Sequence, residues 1–404
     1  MFFQKKPKNE VEKSTIGTNP TIEELCHFFN IDNISDIGGN LTSATYYAAM
    51  QIRCNALAKL PFKIMQHDDK NGDIVLRDHP LYDLLKFRPN PCTNAHDFLW
   101  ATEFQRLEYG DAFWIKDFRG GKINALYLLK SENVSIIVDD RAILGEPNCV
   151  YYQYGDAIYR EEEVCHFKNY SLNGIKGTSI KKYLQTIIDQ EKYGQNVVRE
   201  KYKNGLQDPI VVTFTGDLDD TRQSKIQKKF ASMGGAKNAG KVIPIPAEFD
   251  VKMLETKLVN SQFFQLNGLT TRHIANAFGV KSFQLNDMEK STYSNIEQQN
   301  RAFYSDTLQN VVTEYEQETT YKLLSTADRS KGIYTHFNVD ALLRSDILTR
   351  YQAYQIAINS GFKMISEVRA TEGDTFVDGT DRLIIGNGAS IPLSDIGKQY
   401  NKGG

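Results

Sequence analysis

The sequence has few cysteines and lacks any long apolar run. Five cysteines occur in 404 residues, they are widely spaced, and no two form a C-x-x-C pair. This pattern argues against a disulfide framework and a thiolate zinc site, and it fits a reducing compartment. No apolar run approaches the length that spans a bilayer, and the basic N-terminal stretch lacks the apolar segment of a secretory signal. We therefore expect synthesis in the cytoplasm and no membrane association.

The chain also lacks an excess of positive charge. It carries 48 Lys and Arg residues against 50 Asp and Glu residues, a formal net charge of -2. A global positive field that could hold DNA through counterion release is therefore absent. Any contact with nucleic acid must be local or steric, which disfavours a sequence-reading repressor. With 41% hydrophobic residues the chain can still bury a core, and its length favours two or more packing units.

A complete catalytic or metal-binding motif is missing as well. The nearest match, Gly235 to Val242, is one residue short of a phosphate-binding P-loop, because Val242 stands where a magnesium-ligating Ser or Thr is required. A helix is predicted before this segment and a strand after it, the reverse of P-loop order. Cys165 and His166 are neighbours on a predicted strand and so face opposite sides. We expect no catalytic residue, no metal site and no cofactor.

Hydrophobic periodicity predicts an α+β protein whose first half mixes helices and strands. Apolar residues recur at helical spacing from Tyr46 to Leu60 and stop at Pro61, and a second helix is predicted around Asn94 to Tyr109. Turns at Asn71-Gly72 and Gly120-Gly121 predict hairpins. Short strand-like runs continue to residue 167.

The second half is predicted to consist of long helices around a compact insert. One helix follows Gly177 and ends at Asn204, and another spans Asn260 to Phe278. Residues 206–258 between them predict a strand, a lysine-rich helix, a glycine-rich loop and a strand from residues 241–246, so this insert should protrude. Thr292 to Ser325 predicts one continuous helix with a capping box at Ser294. A strand, one further helix over residues 340–360 and a glycine-rich tail complete the chain.

Two polar segments are candidate binding sites. The basic cluster of the insert is either the solvated face of a helix or a contact surface for an acidic protein or phosphate. The polar segment after residue 280 has too little apolar surface to pack in a core, so it should be an exposed loop, and its two cations and two anions cancel. The cluster comprises Arg222, Lys225, Lys228, Lys229, Lys237 and Lys241, and the loop comprises Lys281, Ser282, Phe283, Gln284, Leu285, Asn286, Asp287, Met288, Glu289, Lys290 and Ser291.

Several phrases occur in an order that resembles one known family. They include YAAMQIRCNALAKLPFK, HPLYDLLKFRPNPCTNAHDF, LEYGDAFWIKDFRGGKINALYLL, NGIKGTS, KYKNGLQDP and STYSNIEQQNRAFYSDTLQNVVTEYE. Together they resemble phage portal proteins of the superfamily found in long-tailed siphophages, from about Thr42 to Gly373. Ser366 departs from the Asn that is usual in that family, and the carboxy-terminal region looks short. Both departures concern the extent of the region called the crown.

The resemblance implies the phage portal fold, assembled as a ring, most simply a dodecamer, around a central channel. In this fold a wing and a stem of long helices carry an inserted α/β clip and a helical crown. The implied divisions are an N-terminal arm (1–41), wing (42–177), first stem helix (178–205), clip (206–258), second stem helix (259–279), tunnel loop (280–291), long wing helix and strand (292–339), crown (340–373) and flexible tail (374–404).

The resemblance further implies a non-enzymatic protein at one vertex of the virion capsid, made in the host bacterial cytoplasm. Its expected partners are other copies of itself, the terminase large subunit, a head–tail adaptor protein, the major capsid protein with its scaffold, and double-stranded DNA that passes without sequence recognition. Two alternatives stay open. One is a nucleotide-binding enzyme that uses the Gly235 to Lys241 loop, and the other is a DNA-binding protein that forms no ring.

Overall fold

The chain divides into two compact units, one ending at Phe337 and one beginning at Asn338. The computed structural model describes residues 43–68, 72–139, 150–203, 210–214, 219–221, 223–225, 228, 249–253, 261–285, 293–339, 347–387 and 389–392. Within these residues no helix is long and apolar enough to cross a membrane.

The first unit combines helices with short antiparallel strands. Its elements in chain order are α1 (Ala44–Ala58), β1 (Phe62–Asp68), β2 (Gly72–Val75), α2 (Pro80–Lys86), α3 (Ala95–Tyr109), β3 (Asp111–Arg119), β4 (Lys122–Leu129), β5 (Val134–Val138), β6 (Val150–Tyr154), β7 (Ala157–Arg160), β8 (Val164–Lys168), α4 (Ile180–Lys203), β9 (Ile210–Phe214), β10 (Phe249–Met253), α5 (Ser261–Phe278), α6 (Tyr293–Phe303), α7 (Gln309–Leu323), α8 (Thr326–Ser330) and β11 (Ile333–Phe337). A single π-helical turn, Tyr304–Leu308, joins α6 to α7.

The core of the first unit lies between the sheet β4-β3-β8 and helices α3 and α7. Trp114 on β3 is fully buried and donates a hydrogen bond from Nε1 to Thr102 Oγ1 of α3 at 2.8 Å. Its ring contacts Phe167 of β8, which stacks on Tyr315 of α7 with ring centroids 4.3 Å apart. Aromatic side chains from three elements thus hold α7 on the sheet.

A second sheet brings the two ends of this unit together. The strand order is β11-β1-β2, and Phe62 on β1 is paired with Phe337 on β11. Their rings stack with centroids 4.0 Å apart, and both are buried. The segment from α6 to β11 therefore belongs to the same unit as the N-terminal helices.

The second unit contains α9 (Ile347–Asn359), α10 (Ile365–Glu372), β12 (Ile384–Asn387) and β13 (Ala389–Pro392). Glu372 at the end of α10 joins the two helices, because it accepts hydrogen bonds from Arg350 at 2.9 Å and from the Tyr354 hydroxyl at 3.0 Å. β12 and β13 form an antiparallel hairpin.

The structure confirms the predicted helices near residues 46–60 and 94–109 and the hairpins around Gly72 and Gly120. Asn94 caps α3 by accepting from the Asp97 N–H, and Gly110 ends this helix with a φ of 95°. Pro61 follows α1 as expected, since proline cannot continue a helix. The two helices predicted as the stem also begin and end close to their predicted bounds: α4 is Ile180–Lys203 and α5 is Ser261–Phe278.

Four details of the prediction were wrong. The stripe from Thr292 to Ser325 is not one continuous α-helix, because the π-helical turn interrupts it. Ser294 lies inside the first turn of α6, so it is not a cap. A second helix, α10, follows α9 with Gly373 as its left-handed cap, and β12–β13 forms in the predicted tail. Asn387-Gly388 is a favoured hairpin turn sequence, and its signal was overlooked among the tail glycines.

Candidate functional site: the base of the polar loop

Helix α5 ends in a capping motif that directs the chain into the predicted tunnel loop. Gly279 has a φ of 65°, its N–H donates to the Asn276 carbonyl at 3.1 Å, and the Val280 N–H donates to the Ala275 carbonyl at 2.9 Å. This pair of bonds is the Schellman motif, which satisfies two of the terminal carbonyls of a helix. The backbone thus fixes the direction in which the chain leaves α5. We call residues 278–285 the loop base.

Side chains from two other elements bond to the carbonyls of Phe278 and Gly279, where α5 ends. Arg53 of α1 donates from Nη1 to the Phe278 carbonyl at 2.5 Å, and Thr307 of the π-helical turn donates from Oγ1 to the Gly279 carbonyl at 2.9 Å. Both side chains are buried. The carbonyl end of a helix carries partial negative charge, so a guanidinium placed there is electrostatically favourable.

Gly279 is required at this point for two independent reasons. A positive φ is strained for any residue with a Cβ. A Cβ at this position would also lie 2.6 Å from Thr307 Oγ1 and 2.8 Å from its Cγ2. The close approach of Thr307 to the helix end therefore depends on the glycine.

The π-helical turn contacts the loop base a second time through an exposed ion pair. Asp306 Oδ2 lies 3.3 Å from Lys281 Nζ, and the Ser305 hydroxyl donates to Asp306 Oδ1 at 3.0 Å. The Ser305 hydrogen bond and the Lys281 ammonium lower the pKa of Asp306. Single π-helical turns within α-helices are frequent at functional sites. Here the turn places two successive side chains, Asp306 and Thr307, on the loop base.

The first residues of the predicted tunnel loop form an ordered turn. Ser282–Leu285 is one turn of 3₁₀-helix that contacts α1, and the Gln284 side chain accepts from the Lys281 N–H at 3.0 Å. Phe283 and Leu285 are half-buried. The expectation of a wholly exposed loop was thus wrong for this part, because the turn lies against α1 and its apolar side chains are partly buried. Asn286 to Ser291 lie outside the described residues.

Arg53 also belongs to a buried network of two cations and two anions. Glu103 of α3 accepts from Arg106 at 2.8 and 2.9 Å and from Arg53 Nη2 at 3.3 Å. Arg106 Nη1 donates onward to Glu314 of α7 at 3.2 Å and to the Lys168 carbonyl at 3.2 Å. The formal charges cancel, so the network joins α1, α3 and α7 without leaving a net buried charge.

Ionisation in this network follows from burial and neighbouring charges. Burial alone would raise the pKa of Glu103, but Arg106 and Arg53 lower it below its ordinary value. Burial lowers the pKa of Arg53 and raises that of Glu314. Glu103 is therefore held as a carboxylate.

Sequence reasoning overlooked Arg53, although a signal was present. The buried face of α1 follows helical spacing through Tyr46, Ala49, Met50, Arg53, Cys54 and Leu57. A charged residue on an otherwise apolar stripe must find a buried partner. The partner itself could not be identified, because Phe278 is 225 residues away in sequence.

A stripe of exposed side chains runs along the solvent-facing side of α4. Leu184 on α4 is buried, and α4 contacts α5 and α3. Tyr183, Tyr193 and Val197 are nevertheless 77%, 70% and 57% exposed. With Thr186 and Gln190, which are also exposed, they recur at alternating intervals of three and four residues. This is the spacing by which one helix packs along another. We call these five residues the α4 stripe.

The predicted basic cluster of the insert is described only in part. Lys225 and Lys228 have helical backbone and are exposed, and their separation of three residues places them on one side of a helix. Arg222, Lys229, Lys237 and Lys241 lie outside the described residues, as does the glycine-rich segment with Val242. The strands β9 and β10 at the two ends of the insert pair antiparallel, with Ile210 opposite Met253.

The described residues include no group of three His, Cys, Asp or Glu side chains that could hold a metal ion. His166 does form a buried contact with Asp111, from Nε2 to Oδ1 at 2.8 Å, and another with the Tyr152 hydroxyl at 3.2 Å. Asp111 Oδ1 also accepts from the Gly177 N–H at 2.7 Å. These bonds connect β8, β3 and β6 to the segment that precedes α4, which is a structural role.

Three comparisons with known proteins bear on this arrangement. The family model described as "Phage portal protein" matches residues 44–373. The portal protein of Enterobacteria phage HK97 is 24% identical over 367 residues, covering 88% of this chain and 84% of that protein. A crystal structure of an HK97 family phage portal protein from Corynebacterium diphtheriae has a TM-score of 0.53 at 14% identity and covers 80% of this chain and 97% of the other.

A chain in the neck of a native gene transfer agent particle, computed with C12 symmetry, is similar as well. Its TM-score is 0.54 at 18% identity, with coverage of 88% of this chain and 94% of the other. At these identities the structural likenesses establish the mixed helix and sheet fold.

Proposed function

Because the chain belongs to the phage portal protein family, we propose that it forms the ring-shaped channel at one capsid vertex through which DNA is packaged and ejected. The observation that carries the proposal is the family match over residues 44–373, which includes both stem helices and the loop between α5 and α6. The chain acts in this proposal as a structural conduit of the virion and performs no chemistry of its own.

The α4 stripe supports a ring. Three large apolar side chains at helical intervals are uncovered in the single chain, and such surfaces are characteristic of protein contacts. In a ring of identical subunits each copy presents the same two surfaces to its neighbours, so a stripe on one copy is covered by the next. Twelve copies are the expected number, which the likeness to the C12-symmetric neck supports.

The loop after α5 is proposed to face the channel. Its charges cancel over Lys281 to Ser291, and Lys281 is already paired with Asp306. Passing DNA would therefore meet a nearly neutral collar that contacts it by shape, without the phosphate pairing that makes affinity strongly salt-dependent. Sequence-independent passage of double-stranded DNA follows from this arrangement.

The insert between β9 and β10 is proposed to dock the packaging and connector proteins. Its ends are held together by strand pairing, and Lys225 and Lys228 present positive charge to solvent. The insert would contact the terminase large subunit during packaging and a head–tail adaptor protein afterwards. The remaining partners are the major capsid protein and its scaffold.

Two measurements test the proposal. Negative-stain imaging of the purified protein should show annular particles, and particles of another kind would contradict the ring.

In virions, replacement of Asn286 to Glu289 by Gly and Ser should preserve rings, because the ordered loop base is left intact. The same replacement should reduce the retention of packaged DNA. A Gly-Ser insertion in the exposed turn Gly120-Gly121 serves as the control. Normal genome length and retention in the loop variant would exclude the loop from the channel function.

A further inference from the structure

The end of α5 is held by side chains from outside the loop. The Schellman bonds satisfy the carbonyls of Ala275 and Asn276, which lie within the helix. The chain passes from α5 into the loop at Phe278 and Gly279. Their carbonyls accept hydrogen bonds from Arg53 and Thr307. The direction of the loop thus depends on α1 and on the π-helical turn.

Stability of the ion pair does not explain why an arginine occupies position 53. Arg106 alone gives Glu103 two bonds of 2.8 and 2.9 Å, whereas the bond from Arg53 is 3.3 Å long. The Nε of Arg53 is buried and has no hydrogen-bond partner among the described residues. Buried ion pairs are weak evidence for stability, since desolvation offsets much of their attraction. The shortest bond of Arg53 is the one to the Phe278 carbonyl.

The π-helical turn supplies the second attachment. Thr307 is 7% exposed. Its hydroxyl can reach the end of α5 only because position 279 is a glycine, since a Cβ there would collide with Thr307. The turn leads directly into α7, which carries Glu314 and Tyr315 of the buried network. Both attachments therefore connect the loop base to the helices that share the network.

We propose that Arg53 and Thr307 are positioning residues that form a two-point latch on the loop base. The latch sets the direction in which the loop leaves α5 and transmits a displacement of the loop to α1 and to the π-helical turn. Its relevance to DNA passage rests on the proposed channel function. The latch itself is a property of the folded chain and can be tested without DNA.

Hydrogen–deuterium exchange on the assembled full-length protein reads the latch directly. The amides of Gly279 and Val280 donate to carbonyls of α5, and the amide of Gln284 donates to the Lys281 carbonyl, so their exchange reports opening of the loop base. Arg53→Met keeps the length of the side chain and removes the donors, and Thr307→Val keeps the shape and removes the hydroxyl. Loss of either bond should speed exchange at residues 279–284 about tenfold or more, because the carbonyl loses its protein donor.

Two control variants separate the latch from general destabilisation. Thr307→Ser retains the hydroxyl and should exchange like the unmodified protein. Thr319→Val removes a buried hydroxyl of α7 that bonds to Tyr315 and Thr335, so it should lower the melting temperature while leaving exchange at residues 279–284 unchanged well below melting. Unchanged exchange in both latch variants, or an equal increase throughout α1 and α3, would overturn the latch.

Retention of DNA in particles that carry Arg53→Met or Thr307→Val then tests the link to function. Reduced retention supports the coupling of latch and channel. Fast exchange combined with normal retention would overturn the coupling while leaving the latch intact, whereas the channel role of the loop fails separately if the Asn286 to Glu289 variant retains DNA normally.

Discussion

Substitution of Gly279 by alanine should be unusually costly for a change of one methyl group. The residue has a φ of 65°, where a Cβ costs about 1–2 kcal/mol. The new Cβ would lie 2.6 Å from Thr307 Oγ1, so either Thr307 or the backbone at position 279 would have to move. Overpacking of this kind costs about 1–3 kcal/mol. When the backbone strain and the overpacking are added, we expect Gly279→Ala to lower the unfolding free energy by about 2–5 kcal/mol.

Gly373→Ala provides the matched control for this expectation. Gly373 also follows a helix, α10, and has a φ of 86°, but an added Cβ there meets nothing within 4 Å. It should therefore cost only the backbone strain, about 1–2 kcal/mol. Thermal and denaturant unfolding of the two variants, followed by circular dichroism, measures the difference.

Combination with Thr307→Ala tests the steric part of the argument. This second change removes Oγ1 and Cγ2, the two atoms that the new Cβ approaches within 3 Å. The double variant Gly279→Ala/Thr307→Ala should therefore lose less stability than the two single variants added together. Equal losses for Gly279→Ala and Gly373→Ala, or strict additivity in the cycle, would refute the reasoning.

Three further expectations concern assembly, docking and pH. Tyr193→Glu with Val197→Glu should place charges on the α4 stripe and give monomers in size-exclusion chromatography, whereas intact rings would show that the stripe is not a subunit contact. Charge reversal at Lys225 and Lys228 should leave rings intact and weaken co-sedimentation with terminase, and dissociated rings would assign these lysines a structural role instead. Burial lowers the pKa of His166 below its ordinary 6.5. The unfolded chain then takes up a proton before the folded one does, so the unfolding free energy should fall as pH drops through about 6.5, and His166→Gln should lose this part of the pH dependence in denaturant titrations.

Local signals predicted much of the fold. The helices α1, α3, α4 and α5 follow from apolar residues at helical spacing, and their ends follow from Pro61, Asn94 and Gly110. These signals act within a few residues of the chain, so no tertiary information is needed to read them. The family resemblance, which rests on phrases spread over about residues 42–373, was confirmed by the family match to 44–373.

The loop was predicted in position but not in detail. Its polar composition indicated an exposed connection, yet Ser282–Leu285 is a half-buried turn against α1. Composition averages over a segment, whereas the burial of Phe283 and Leu285 depends on a surface supplied by a helix more than two hundred residues earlier. The π-helical turn that begins at Tyr304 was missed for the same reason, because the spacing of the apolar residues does not indicate it.

The amino-acid sequence was enough to predict most helices and hairpins of the first unit, the family, and a polar loop after α5. The way in which that loop is held depends on the packing of distant elements. The bonds from Arg53 to the Phe278 carbonyl and from Thr307 to the Gly279 carbonyl join residues that are 225 and 28 positions apart. Helix propensity and periodicity are local properties of a chain, but a buried donor is satisfied by whichever acceptor the packing of distant elements brings within reach.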